Sequence, residues 1–239
     1  MSRPDSRPIC VAAATLAVAL SFLGLAPHAA IAAEGDAGAV ALDGWLHHQA
    51  QIETWSADVT QVRRLEGLVR PLEATGKVWF EQPNRFRWQL GDPPRTIAVR
   101  NDDELDVAYP RLHQLEKYTF SEKISASWRQ VLALLDVGFP SDPDAFHAQY
   151  ELQSAQETDG VWSFHLAPRA RTALQLIKAV DIDVDAASNR LLATALEFPD
   201  GSTMRNQFSK IVVNPTLDPS LFHIQVGSDW QVVKPLEGK

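Results

Sequence analysis

A mostly β domain with a smaller α content, its antiparallel sheet curled into a barrel or half-barrel, is the fold class this sequence predicts. Three observations lead there. Alternation at period two recurs in roughly ten short segments. Helical spacing is confined to the beginning and the middle of the chain. Turn residues such as Pro83-Asn84, Asp92-Pro93-Pro94, Asp159-Gly160 and Pro199-Asp200-Gly201 separate the alternating runs.

Residues 1–33 read as a secretory signal peptide: Arg3 and Arg7, an uncharged 16-residue run from Val11 to Ala26, then the small residues Ala30-Ile31-Ala32. The run is shorter than the 18 or more residues of a spanning helix. Cys10 precedes the apolar run, so it is not placed as a lipoprotein cysteine, and the rest of the chain has no cysteine for a disulfide, a thiolate nucleophile or a metal. Residues 34–39 are expected to form a short polar linker and 40–239 a single domain, large enough for a core of its own. The pattern fits export to the periplasm as a soluble protein. A net charge of −8 without a basic cluster points away from nucleic acid.

From Val40 to about Trp55, Leu42, Trp45, Leu46 and Ile52 fall on one side of a helix. Strands are expected over 57–65, 76–82, 85–90, 95–100 and 104–109, then over 148–153, 161–167, 174–184, 190–198 and 202–213, with 221–226 and 229–233 closing the chain. A second helix is expected at 127–135, where Trp128, Val131, Leu132 and Leu135 share a face, ahead of Gly138 and Pro140.

No residue set for covalent chemistry stands out. The chain lacks a G-x-S-x-G elbow, a phosphate loop, a dinucleotide fingerprint and H-E-x-x-H. Adjacent His47 and His48 diverge by about 100° on a helix and cannot chelate as an i, i+4 pair does. The run Asp181-Ile182-Asp183-Val184-Asp185 has Ala186 and Leu192 where a calcium loop needs glycine and glutamate. The expectation is a non-enzymatic protein without catalytic residues, metal or cofactor.

The stretch WFEQPNRFRWQL, residues 79–90, carries four large aromatics beside two arginines and a proline. Alternation puts Val78 and Phe80 on one side and, after the turn, Phe86, Trp88 and Leu90 on one side with Arg85 and Arg87 on the other, solvated. Ile97 and Val99, then Leu105, Val107 and Tyr109, are expected to extend the apolar face. Two readings are open: a filled core, or a curved sheet whose concave face, covered by helices, holds an apolar guest.

The segment GKVWFEQPNRFRWQL resembles the glycine, strand, proline and Phe-x-Trp element of the periplasmic outer-membrane lipoprotein carriers, the LolA-like family. Ser56-Ala57-Asp58-Val59-Thr60-Gln61 is similar to the segment after that family's first helix, with Val59 in place of phenylalanine. Tyr109-Pro110 stands where the family has a tyrosine and proline element, and residues 214–233 resemble its closing strands. The likeness runs over roughly residues 40–233. It implies an unclosed barrel with a helical lid over an apolar cavity, and acylated lipoproteins or lipids as cargo. An inner-membrane lipoprotein-releasing transporter and an outer-membrane receptor are the implied partners of a monomeric carrier. Val78, Phe80, Phe86, Trp88, Leu90, Ile97, Val99, Leu105, Val107 and Tyr109 would line the cavity, and Trp128, Val131, Leu132 and Leu135 would form the lid. The family's lid-holding arginine is replaced here by Gln82, and its Asp-Gly turn by Asp102-Asp103, so the chain looks closer to divergent paralogues. Glutamine at the latch position donates hydrogen bonds without charge assistance.

Overall fold

In the computed structural model, described for residues 29–102, 104–119 and 137–235 (side chains from residue 37), twelve strands form one open sheet. The expected lid residues Trp128, Val131, Leu132 and Leu135 lie outside the described residues, as does the rest of the expected second helix. Helix α1 spans Ala29–Gln49. The first six strands are β1 (Thr54–Arg64), β2 (Leu72–Glu81), β3 (Arg85–Leu90), β4 (Thr96–Asn101), β5 (Glu104–Tyr109) and β6 (Gln114–Thr119). A short helix α2 (Pro143–Gln149) leads into β7 (Tyr150–Thr158) and β8 (Val161–Pro168). After α3 (Arg171–Leu174) come β9 (Ala179–Asp185), β10 (Leu191–Glu197), β11 (Thr203–Val213) and β12 (Gln231–Val233). The strand order is β12-β6-β5-β4-β3-β2-β1-β11-β10-β9-β8-β7, antiparallel apart from the β12–β6 pair.

Several boundaries differ from the sequence expectation for identifiable reasons. Residues 34–39 belong to α1 instead of forming a loose linker. Gly38 allows this helix to pass close to the sheet, since a Cβ there would stand 2.4 Å from the Ala155 Cβ. The helix stops at Gln49, and Thr54 and Trp55 already belong to β1. Residues 114–119 form a strand the sequence did not announce, because charged Glu116 and Lys117 interrupt its apolar alternation. Asp142, accepting hydrogen bonds from the N–H groups of Asp144 and Ala145, starts α2 with Pro143 in its first turn. Residues 171–174 turn as α3, so β9 begins later than expected. The segment 221–226 is not a strand: a 3-10 turn at Pro219–Phe222, capped by Asp218, opens an irregular run.

That run explains the arginines of the stretch 79–90. Phe222 is buried against the outer face of β3, with the Arg85 guanidinium 4.5 Å from its ring centre. The Arg87 Nη1 donates to the Leu221 carbonyl at 3.1 Å. The two arginines point away from the concave face as alternation requires, but a tail covers them and they are not solvated. Burial holds the Arg87 guanidinium below its ordinary pKa.

Facing Val99 on this outer side is Asp106, whose Oδ2 lies 3.3 Å from Lys117 while Oδ1 is buried without a partner. Burial raises its pKa, outweighing the attraction of Lys117. A raised folded pKa means that stability present when the carboxyl is protonated is lost as the pH climbs through that value. Asp106→Asn is therefore expected to raise Tm at pH 7 by roughly 2–4 °C. In calorimetry the gain should shrink in acid; a lower Tm for the variant at pH 7 would show that the Lys117 pair stabilises on balance.

On the inner side α1 packs against β7 and β8, burying Leu42, Trp45 and Leu46. Trp45 meets Phe146 of α2 edge-on, and His147 Nε2 lies 2.8 Å from Asp43 Oδ1. Trp55 sits between Phe139 and Phe208, and Phe139 stacks on Phe80 at 4.5 Å.

Candidate functional site: an apolar cavity in the concave face

Register decides which residues face inward, because cross-strand partners share a face of the sheet. Phe86, Trp88 and Leu90 of β3 pair with Arg100, Ala98 and Thr96 of β4, and Ala98 and Arg100 pair with Val107 and Leu105 of β5. One face therefore carries Phe86, Trp88, Leu90, Ala98, Leu105 and Val107. Ile97 and Val99 pair with Gln89 and Arg87 and lie on the other face. The expectation that they extend the inner stripe is corrected: their partners across the β3–β4 hairpin turn them to the side that the tail covers.

The sheet curves until strands that are not neighbours confront each other. Between β3–β5 on one side and β10–β11 on the other lies a cavity of about 350 Å³. Phe86, Trp88, Leu90, Leu105 and Val107 line it together with Ala98, Leu196, Met204 and Phe208, and Val137, Gly138 and Phe139 lie against it. Among the expected cavity residues these five take part. Val78 and Phe80 are on the same face but buried in the adjoining core, Phe80 under Phe139. Tyr109 shares the inward parity of Leu105 and Val107, pairs with Gln114 at the far end of β5, and does not line the cavity.

A polar row at one margin was not singled out in the sequence. Gln61 Nε2 donates to Asn206 Oδ1 at 3.0 Å, and Asn206 Nδ2 donates to Thr194 Oγ1 at 3.2 Å. The three sit side by side on β1, β11 and β10 and satisfy one another at the cavity wall. Their signal in sequence was weak, since isolated Gln, Asn and Thr within alternating runs read as outward residues. Beyond them, a more polar recess of about 540 Å³ shares Gln61 and Leu90 with the cavity and is bordered by Arg63, Leu72, Asp92 and Arg95. The recess thus adjoins the cavity at Gln61 and Leu90 and lies toward the end of the sheet where β1 finishes and β2 begins.

Gln82 stands at the close of β2. Its backbone N–H donates to the Glu53 carbonyl, and its side-chain Nε2 donates to the Ala50 carbonyl at 3.0 Å. The amide thereby ties the end of β2 to the turn that follows α1. Among the described residues no group of three or more His, Cys, Asp or Glu side chains could hold a metal ion.

The structure is thus an open, strongly curved sheet, antiparallel but for its β12–β6 pair, with an apolar chamber on its concave side. The chain belongs to the LolA family of outer membrane lipoprotein carrier proteins, whose match extends over residues 50–225. It is similar to the outer-membrane lipoprotein carrier protein of Chromohalobacter salexigens, 25% identical over 183 residues that cover 77% of this chain and 81% of that one. The carrier protein of Bordetella avium is 26% identical over 219 residues, covering 90% and 95% of the two chains. Among solved structures, an uncharacterized conserved protein from Thermus thermophilus superposes with a TM-score of 0.48 at 14% identity, covering 83% of this chain and 99% of that one. A LolA superfamily protein from Nitrosomonas europaea does so with a TM-score of 0.39 at 11% identity, covering 76% and 96%.

Proposed function

We propose that this protein is a non-enzymatic periplasmic carrier that shields the acyl chains of a lipoprotein, or of a related lipid, during transfer from the inner to the outer membrane. The observation that carries the reading is the apolar cavity on the concave face, within a chain of the lipoprotein-carrier family. A sheet of the same fold serving only as an interaction module, with its core filled, would have no use for such a space.

The energetics suit a carrier. Each shielded methylene is worth ~0.8 kcal/mol, so about ten of them supply roughly 8 kcal/mol, enough to hold an acyl chain segment without making release prohibitive. A volume of about 350 Å³ lies at the small end of ligand pockets and suits one chain segment. Release then requires only that a partner offer the chain a comparable apolar refuge. An inner-membrane lipoprotein-releasing transporter as donor and an outer-membrane receptor as acceptor complete the proposal, with this protein acting as a monomer after removal of its leader.

The decisive experiment is mass spectrometry of organic extracts from the protein purified out of the periplasm, combined with photo-crosslinking in living cells through a reactive residue at Leu90. Acylated lipoprotein or lipid should be recovered in the extract or in the crosslink. An empty extract together with no acylated crosslink partner would refute the carrier.

A further inference from the structure

The pairing of the strands gathers five connections at one end of the sheet: β1–β2, β3–β4, β5–β6, β8–β9 and β10–β11. The β9–β10, β10–β11 and β11–β1 pairings carry this common end across the sheet, so the five form one rim. The recess that adjoins the cavity at Gln61 opens among them, bordered by Arg63, Leu72 and Arg95.

The rim departs from the rest of the surface in two ways. Of the nine large apolar side chains exposed among the described residues, five are here: Leu68, Val69, Leu72, Leu112 and Leu174. Val69, at the tip of the β1–β2 connection, is fully exposed, and Leu68 beside it is more than half exposed. Leu68, Val69 and Leu72 share the β1–β2 connection, and a cluster of unburied aliphatic side chains at one tip marks a contact site more often than scattered single ones do. The charge is also inverted relative to the chain. Arg63, Arg64, Arg70, Arg95, Arg111 and Arg171 stand on or beside these connections, against the carboxylates of Glu66, Glu73, Asp92, Asp200 and Asp229, the last paired with His113. Arg169 and Lys178 are there too, but Glu151 and Glu197 answer them. In a chain of net charge −8, this margin thus carries slightly more arginines than carboxylates, three of the arginines flanking the β1–β2 tip.

We propose that this rim, led by Leu68 and Val69, docks on an anionic phospholipid surface. Aliphatic side chains at a protruding tip can enter the boundary between headgroups and acyl chains while flanking arginines pair with lipid phosphates, and the two contributions reinforce each other. A protein partner is the less economical reading, because aliphatic residues at a protruding tip interleaved with arginines match a lipid interface. Docking in this orientation turns the mouth of the recess toward the bilayer. It is independent of what the cavity holds.

The test is sedimentation of exported protein, its mass showing the leader removed, with vesicles of phosphatidylcholine alone or mixed with phosphatidylglycerol. The wild-type protein should partition onto the anionic vesicles about tenfold more strongly than onto neutral ones, and lose most of that preference in about 1 M salt. The pair Leu68→Asp and Val69→Asp, both at exposed positions, should lower partitioning about tenfold or more with the thermal transition unchanged. The pair Arg64→Glu and Arg70→Glu should abolish the preference for anionic vesicles. Failure to sediment with either vesicle, or sedimentation unaffected by the two aspartates, overturns the proposal and leaves the rim as a surface for a protein.

Discussion

Trp88→Glu is expected to weaken binding of acylated cargo by at least about a hundredfold while leaving the sheet folded. Trp88 occupies the middle of β3, only partly buried, with its indole 6.1 Å from Phe208 across the cavity. Removing it takes one wall from the chamber, and the carboxylate that replaces it either ionises among apolar groups or stays protonated at a cost. Both outcomes penalise an apolar guest far more than they penalise strand pairing, because the β3 backbone keeps its bonds to β2 and β4. Trp88→Leu is the control: it preserves an apolar wall and should retain most binding. The comparison is of recovered acyl mass per mole of protein, with circular dichroism to verify the fold. Equal recovery from Trp88→Glu and wild type would sink the assignment of this cavity as the cargo site.

The second large effect is expected at Gly76, in the middle of β2. A Cβ built there would lie 1.8 Å from the Gln89 carbonyl oxygen and 3.0 Å from the Leu90 Cα, both backbone atoms of β3. Neither can swing aside as a flexible side chain would. Gly76→Ala must therefore separate β2 from β3 or bend one of them, next to the point where the Gly91 N–H donates to the Thr75 carbonyl at 2.7 Å. A loss of about 3 kcal/mol is expected, seen as a fall in Tm of roughly 6–12 °C. A drop below ~1 kcal/mol in chemical denaturation would mean that the two strands can part there at little cost.

The order of strands and turns was legible because period-two alternation is local. Residues 85–90 form the strand expected of them, and Phe86, Trp88 and Leu90 do share a face. What local pattern could not supply was the face of the next strand. Ile97 and Val99 are more apolar than Ala98 and Arg100, so hydrophobicity alone turns them inward. The β3–β4 register turns them outward, where Val99 is buried and Ile97 half-buried, with the Pro219–Phe222 turn packed against β3 and β4. A tail that folds back onto the outer face of β3 is a contact of long sequence separation, and nothing in the alternation of β4 encodes it. The same gap hid the polar row. Gln61, Thr194 and Asn206 are ordinary residues in their own strands, and their meaning arises only when β1, β11 and β10 place them side by side. The half-barrel, by contrast, was foreseeable from strand count and from the family resemblance together.

A closed barrel has a circumference dictated by its number of strands and their stagger, so its interior is of fixed gauge. The twelve-strand sheet here meets no such condition, because β7 and β12 stand at opposite margins without pairing to each other. Its radius of curvature is accordingly a soft mechanical coordinate. Bending the sheet brings β10–β11 nearer to β3–β5, and unbending separates them, while the hydrogen bonds between neighbouring strands remain made. The chamber can thus behave as a spring-jawed clip, with Gly76 in β2 as a thin place in the bow and the outer tail over β3 and β4 as a splint on one arm.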